Sequence, residues 1–350
     1  MGHVEAKPTI RAVAQRAGVS VSTVSRVLNG GYASAHVKTS VHTAVRELGY
    51  VPSTTARSLV TGRTGIIGVV VKSSQRPWFT QILGGIEEQL VSSRQSVLLA
   101  SLALRGRYDA SAVSAWIREH RVDGLIFVRY TRRERPLLEG ATRAGLPVVF
   151  IGPDITARVG FTIRCHNRKA GRLVGEHLLG LGHRHIAFAG GPRESLDTRD
   201  RLHGLSEILQ EHGVELGSAD IWFGDSYDPE AGIEYAEQLC RRAPESRPTA
   251  VVLGNDAMAL GFMRTVLGRG LRIPKDVSVV GFDGIPDGAL YWPGLTTVVQ
   301  PTRQMGSTAC RALLERIADP EQDQVTTVKY DVELAVHEST GAPPRRGAAR

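Results

Sequence analysis

The stretch Thr9-Ile-Arg-Ala-Val-Ala-Gln-Arg-Ala-Gly-Val-Ser-Val-Ser-Thr-Val-Ser-Arg-Val-Leu-Asn29 decides how the chain is read. Thr9 suits a helix N-cap, and behind it Ile10, Val13, Ala14 and Ala17 recur at helical spacing. Gly18 breaks the pattern where a tight turn is needed. Ser20 then caps a second short helix with Val24, Val27 and Leu28 on one face. A third helix is expected from Ala35 to Leu48, with Val37, Val41, Val45 and Leu48 inward and Gly49 near its end. Two short helices across a turn, steadied by a third, form a helix-turn-helix pattern. In such a unit the second helix enters the major groove of DNA. Its outward residues here are Val21, Ser22, Ser25 and Arg26. Arg bonds guanine in bidentate fashion, Ser accepts several partners, and Val touches a thymine methyl. Helix N-terminal amides behind Thr9 and Ser34 would hold phosphates. A three-helix protein-binding bundle is the plainer alternative.

Charge supports the DNA reading. The chain has 350 residues and a net charge of +8. Residues 1–63 hold eight basic side chains (Lys7, Arg11, Arg16, Arg26, Lys38, Arg46, Arg57, Arg63) against Glu5 and Glu47. Most of the excess therefore lies in about a fifth of the chain, and a local basic patch is what attracts a polyanion. With 42% apolar and 22% charged residues the remainder can bury a sizeable core and is not of the disordered class. Apolar runs such as Ile66 to Val71 are far shorter than the roughly 18 residues of a membrane span. The first twenty residues lack a signal-peptide core, so a cytoplasmic location without membrane partners is expected. Cys165, Cys240 and Cys310 are too far apart for a metal or disulfide framework.

The segment from Thr9 to Asn29 resembles the headpiece of the lactose-repressor (LacI/GalR) family of bacterial transcriptional regulators. The likeness extends through Leu48-Gly49-Tyr50-Val51-Pro52, Ala56-Arg57-Ser58-Leu59 and Thr61-Gly62-Arg63-Thr64. It implies a segment after the proline that becomes a hinge helix on operator DNA. Leu59 would wedge into the minor groove there, with Ala56 and Arg57 as neighbouring DNA contacts. Residues 53–60 are too few for a stable isolated helix, so DNA and a partner hinge must supply the missing stability. A wedging apolar side chain unstacks a base step and bends the duplex.

From Gly65 the pattern changes to short β-branched runs alternating with amphipathic helices. Repeated βα units with apolar central strands mean parallel sheets flanked by helices, with ligand sites beyond the carboxyl ends of the strands. Periodicity leaves open one barrel or two doubly wound lobes. The family likeness continues in Asn167-Arg-Lys-Ala-Gly171, His177-Leu-Leu-Gly-Leu-Gly-His183, Gly254-Asn255-Asp256, Val280-Gly-Phe-Asp283 and Pro293 to Pro301. It implies a fold of α/β class with a small all-α headpiece. A helix-turn-helix domain would precede a two-lobed periplasmic-binding-protein-like core of doubly wound parallel sheets. The expected boundaries are 1–52 for the headpiece and 53–63 for the hinge and linker. The first lobe takes 64–162 and 292–322, the second 163–291 and 323–340, and 341–350 forms a flexible tail.

Matching family contact positions singles out Arg201, Asn255 and Asp283 for an effector between the lobes, with Asp256 beside them and Asp197 as a further acceptor. A charged fork facing carboxylate and amide groups suits a polyhydroxylated ligand, whose vicinal hydroxyls both donate and accept. Trp78, Phe79 and Tyr227 are ring-bearing candidates; Trp222 and Trp292 are weaker ones. Two departures stand out. His166 occupies a place where the family usually has Asp. The loop Val128-Arg129-Tyr130-Thr131-Arg132-Arg133 is bulkier and more basic than usual; its side chains are expected at the rim, the alternative being that Arg129 or Tyr130 reaches the cleft, where a basic group would favour an acidic or phosphorylated ligand.

Catalysis finds little support. No dinucleotide fingerprint, phosphate loop or zinc helix motif occurs, and Ser195, Asp197 and His203 lack a nucleophile elbow. The expected function is a sugar-responsive repressor of carbohydrate uptake or catabolism genes. It would act as a homodimer on palindromic operator DNA, without a cofactor or metal, and be released by a mono- or oligosaccharide. The alternatives are a corepressor-type regulator answering a nucleobase or other metabolite, a carbohydrate-binding protein with a vestigial headpiece, and an enzyme on the same scaffold.

Overall fold

The computed structural model describes residues 8–28, 30–51, 62–72, 76–91, 93, 95–104, 107–154, 160–321 and 324–344. The chain divides into two compact units, residues 1–65 and 66–350.

The first unit contains α1 (Ile10–Ala17), α2 (Val21–Leu28) and α3 (Ala35–Leu48). Thr9 Oγ1 accepts from the amide of Ala12 at 3.3 Å, Ser20 Oγ from Thr23 at 3.1 Å, and Ser34 Oγ from Val37 at 3.4 Å. Gly18 ends α1 at φ 66°, a left-handed conformation that a side chain would resist, and the chain turns directly into α2. Val13, Val24, Val27, Val41 and Ala44 are buried and close a small core. Their small size lets the three helices cross closely. The expected hinge helix, with Ala56, Arg57 and Leu59, lies outside the described residues.

The second unit holds two six-stranded sheets. β1 (Ile66–Val71), α4 (Pro77–Leu90) and β2 (Ser96–Ser101) lead to a small hairpin of β3 (Ala103–Leu104) and β4 (Arg107–Tyr108). α5 (Ser111–Arg118), β5 (Gly124–Val128), α6 (Arg135–Arg143), β6 (Val148–Ile151) and β7 (Phe161–Cys165) follow. The next run is α7 (Asn167–Gly180), β8 (Ile186–Gly190), α8 (Leu196–Glu211), β9 (Ile221–Phe223), α9 (Pro229–Arg241) and β10 (Ala250–Leu253). It continues with α10 (Asp256–Gly268), β11 (Ser278–Asp283), α11 (Pro286–Leu290), β12 (Thr296–Val299), α12 (Thr302–Ala318), β13 (Thr326–Tyr330) and β14 (Glu333–Ala335).

The first sheet has the order β13-β7-β6-β5-β1-β2, all parallel; the second is β14-β12-β11-β10-β8-β9, parallel except for the β12–β14 pair. Both faces of each sheet are covered. On β1, Ile67, Val69 and Val71 pack beneath α4 and α12, while Val70 joins Leu125, Phe127 and Phe150 beneath α5 and α6. This burial on both sides explains the unbroken apolar strands.

Strand pairing moves the lobe crossovers. β12 belongs to the second sheet, where Val280 pairs with Thr296, although 292–322 was expected wholly in the first lobe. β7 and β13 pair with each other in the first sheet, although 163–165 and 326–330 were expected in the second lobe. A β-branched run reads alike in either sheet, and only its hydrogen-bonded neighbour assigns it. The tail expected from 341 also begins later: Gly341 accepts from His183 Nε2 at 2.9 Å, and its amide donates to Ser278 Oγ at 3.1 Å.

Candidate functional site

On α2, Val21, Ser22 and Arg26 are exposed and Ser25 is half-buried, while Val24 and Val27 point inward. The recognition-helix candidates therefore share the outer face. Ser22 Oγ lies 2.8 Å from Ser20 Oγ, which ties it to the cap. Thr9 and Ser34 serve as caps, leaving the amides of α1 and α3 to point outward at their N-termini.

In the second unit the carboxyl ends of strands from both sheets surround a cleft of about 570 Å³ of empty space, counted out to open solvent. Arg76, Trp78, Arg129, Tyr227, Asn255 and Gln300 are among its lining, together with Asp197, Arg201 and Asp283. Arg201, on α8, is almost wholly buried. Its Nε donates to Asn167 Oδ1 at 2.9 Å and its Nη1 to the Gly254 carbonyl at 2.6 Å, while Nη2 stands 3.6 Å from Asp283 Oδ1. The guanidinium also lies over the Phe282 ring at 4.6 Å. Asp283 ends β11 and accepts from Gln300 Nε2 at 2.9 Å, and Gln300 Oε1 accepts from the Trp78 indole at 3.3 Å. Asn255 caps α10, accepting from Met258 N at 2.9 Å with Oδ1, which leaves its amide nitrogen to donate to Asp283. Tyr227 donates to Ser195 Oγ at 2.8 Å.

Further bonds cross between the lobes. Arg76 pairs with Asp228 at 2.7 Å, and Asp154 Oδ1 accepts the Leu196 amide at 2.6 Å. Arg129 forms an ion pair with Asp197, which also accepts from Asn167 Nδ2 at 2.8 Å. Arg129 and Asp283 have φ of 63° and 117°, positions where a side chain costs about 1–3 kcal/mol. One such residue on each lobe faces the cleft, at the end of β5 and of β11.

Burial raises the pKa of Asp283, and the Arg201 charge opposes that rise. Burial also pushes Asp256 well above the ordinary carboxylate range, with the charge of Asp283 adding to the effect. The Cys165 thiol is pushed up to about 12 by burial.

Not every expected effector residue lies in the cleft. Asp256 is fully buried and does not line it; its carboxylate accepts from Ile285 N at 2.9 Å and Thr297 Oγ1 at 2.6 Å, tying α10 to β12. Phe79 belongs to the first-lobe core and reaches only the pocket beside the cleft. Trp222 packs against the second-lobe core, and Trp292 is exposed. Arg129 lines the cleft instead of its rim, because its left-handed backbone follows β5 directly. Its neighbour Tyr130 is buried edge-on against Phe127 and Phe150. His203 pairs with Glu207 at 3.3 Å, so Ser195 and Asp197 have no histidine base from that position. Sequence reasoning missed Arg76 and Gln300 as cleft residues. Gln300 directly follows β12, where the rule that ligands sit beyond strand ends would have marked it; Arg76 stands between β1 and α4, at the start of the helix.

The chain matches the family model described as bacterial regulatory proteins, lacI family, over residues 9–53, and the periplasmic binding protein-like domain over residues 176–340. It is 34% identical to the HTH-type transcriptional repressor PurR of Proteus mirabilis (strain HI4320), covering 91% of this chain and 93% of that one. A crystal structure of the lac repressor dimer bound to operator and the anti-inducer ONPF is similar at TM-score 0.83 and 29% identity, covering 96% of this chain and all of that one. The transcriptional regulator CelR in complex with cellobiose is similar at TM-score 0.71 and 30% identity, covering 95% and 99%. A headpiece built to present α2, a two-lobed core with a polar cleft, and relatives aligned along nearly their full length agree: the chain belongs to the LacI family as a DNA-binding transcriptional repressor, not an enzyme.

Proposed function

We propose that this repressor controls carbohydrate uptake or catabolism genes, and that a polyhydroxylated small molecule bound between the lobes releases it from its operator. The observation that carries this reading is the group formed by Arg201, Asp283, Asn255 and Gln300. It sets a guanidinium fork, a carboxylate and two amides around one cleft, a donor and acceptor set suited to vicinal hydroxyls. The CelR–cellobiose likeness supports a saccharide.

On DNA, Arg26, Ser22, Ser25 and Val21 read base edges, and Leu59 wedges into the minor groove with Ala56 and Arg57 beside it. Two headpieces of a cytoplasmic homodimer address a palindrome. Effector binding changes the relation of the lobes and thereby the hinges. The coupling is reciprocal, so operator weakens effector binding by the same factor.

A second reading, a corepressor answering a nucleobase or other flat metabolite, is favoured by Trp78 and Tyr227, one ring on each lobe of the cleft. The relatives named PurR weigh in the same direction.

The test is fluorescence anisotropy on the chain's own upstream DNA at fixed salt, with a panel of saccharides and nucleobases. Release by a saccharide is the expected result. Tightening by a nucleobase overturns the inducer reading in favour of the second one, and absence of specific DNA binding overturns both.

A further inference from the structure

The cleft continues into a second pocket, of about 630 Å³ of empty space counted out to open solvent, that shares Arg76, Trp78, Arg129 and Tyr227 with it. The second pocket adds Lys72 and Asp154 to the lining. Each acidic group along the joined cavity is engaged. Asp283 receives Gln300 and stands beside Arg201, Asp197 pairs with Arg129, and Asp154 accepts an amide.

The cations are less fully matched. Arg76 uses Nη2 on Asp228, but its Nε is buried without a hydrogen-bond partner among the described residues. Lys72 makes no ion pair among the described residues. A buried donor left unpaired carries a desolvation cost, and a ligand acceptor removes it only where the guanidinium turns Nε toward the cavity. The amino end of α4, a helix of 14 residues, opens directly after Arg76 and adds positive potential on the same side.

We infer that the effector carries an acidic group, a carboxylate or a phosphate monoester, seated against Arg76, Arg129 and Lys72 while its hydroxylated part rests on Arg201, Asn255 and Asp283. This deepens the effector reading above and rests on it. The plainer account is that these arginines only latch the lobes together. A latch explains Arg129 on Asp197 and Arg76 Nη2 on Asp228; it leaves Arg76 Nε and Lys72 without a role. Arginine forks suit a planar or tetrahedral anion in bidentate fashion, and a compact ammonium adds a point charge. A neutral sugar offers Lys72 nothing comparable.

The test uses the full-length protein and inorganic phosphate as the first probe. Tryptophan fluorescence and thermal unfolding are followed against chloride at equal ionic strength. A saturable response is expected, weakened about tenfold in Arg76→Gln and at least as much in Arg129→Gln, where Asp197 is left unneutralised. Lys72→Gln is the milder variant, on an exposed side chain, should either arginine variant fail to fold. Matched probes follow: glucose, glucose 6-phosphate and glucuronate. Preference for the phosphate or for the uronate tells the two acidic groups apart, and either supports the inference.

A neutral sugar bound as tightly as both acidic counterparts overturns it. So does a phosphate response unchanged in all three variants, or one no larger than that of chloride when glucuronate is not preferred over glucose either. Operator anisotropy on the same samples separates the two readings. Control of operator affinity by a neutral saccharide without acid preference sinks this inference and leaves the function. Binding of an acidic probe with no effect on operator affinity upholds the anion seat at Arg76, Arg129 and Lys72 but sinks effector control, and with it the assignment of that anion to an effector.

Discussion

Arg76, just before the first helix of one lobe, donates Nη2 to Asp228 Oδ1, just before a helix of the other, at 2.7 Å. With Trp78 on Gln300 and Arg129 on Asp197, this bond closes the cleft from more than one side. The cleft is thus spanned by polar bonds that can be exchanged for bonds to a ligand.

The Arg76–Asp228 pair is about a third to a half exposed on each side, so its own contribution is small. A double-mutant cycle with Arg76→Gln and Asp228→Asn, read by urea unfolding, is expected to give a coupling of about 0.2–1 kcal/mol. A coupling several times larger would show that the pair is desolvated in solution.

Arg201 is different, because its guanidinium is buried between Asn167, Gly254, Asp283 and the Phe282 ring. Arg201→Met leaves Asp283 without its countercharge, and a loss of about 3–5 kcal/mol in stability is expected. Arg201→Lys retains charge but not the fork. It is expected to abolish the effector response while operator binding persists; a normal dose response would reject the assignment.

Gly171 on α7 and Gly204 on α8 let the two helices touch backbone to backbone. A Cβ on Gly204 would fall on the Arg168 carbonyl oxygen, and one on Gly171 on that of Arg201. Gly204→Ala must push apart the helices that carry Asn167 and Arg201, at a cost of about 1–3 kcal/mol. Urea unfolding with parallel effector titration checks this, and both stability and effector affinity should fall.

His183 is fully buried, and its Nε2 must donate because its partner is the Gly341 carbonyl. Burial lowers its pKa, and that of His177, which meets Thr340 at 2.9 Å. The folded state therefore binds fewer protons than the unfolded one just below the ordinary histidine range. These residues' stabilisation is present above about pH 6.5 and is lost as pH falls through the lowered values. Urea unfolding of wild type and His183→Gln at pH 7.5 and 5.5 should show their difference shrinking on acidification. A difference independent of pH would mean that His183 does not titrate in this way.

Arg26 is exposed on the outer face of α2. Arg26→Ala is expected to relax discrimination at one base pair by about 1–3 kcal/mol, measured by anisotropy on single-base operator variants. Equal weakening on operator and random DNA would reduce Arg26 to a phosphate contact.

The sequence by itself determined the local order of this protein. The caps at Thr9, Ser20 and Ser34, the turn at Gly18 and the valines at helical spacing are short-range features, and the headpiece follows from them. The same holds for the strands buried on both faces, such as Gly124–Val128 and Ala250–Leu253, whose bounds the apolar runs mark to the residue. Asn255 and Asp283 were legible because they stand at strand or helix ends within the family motifs, and Arg201 because it matches a family contact position.

Tertiary structure alone decided the rest. Whether Thr296–Val299 joins one sheet or the other depends on its pairing with β11, a partner that leaves no mark on its own composition. Asn255 and Asp256 show the same limit: they adjoin in sequence, yet one faces the cleft and the other is sealed against Thr297. A one-residue step at a helix start turns the side chain by about 100°. Arg76, Arg129 and Gln300 enter the cleft only because two lobes meet over it, bringing together groups far apart in the chain, such as Arg76 with Asp228 and Trp78 with Gln300. Such proximity is a property of the fold, since the chain carries no local signal for a partner that distant.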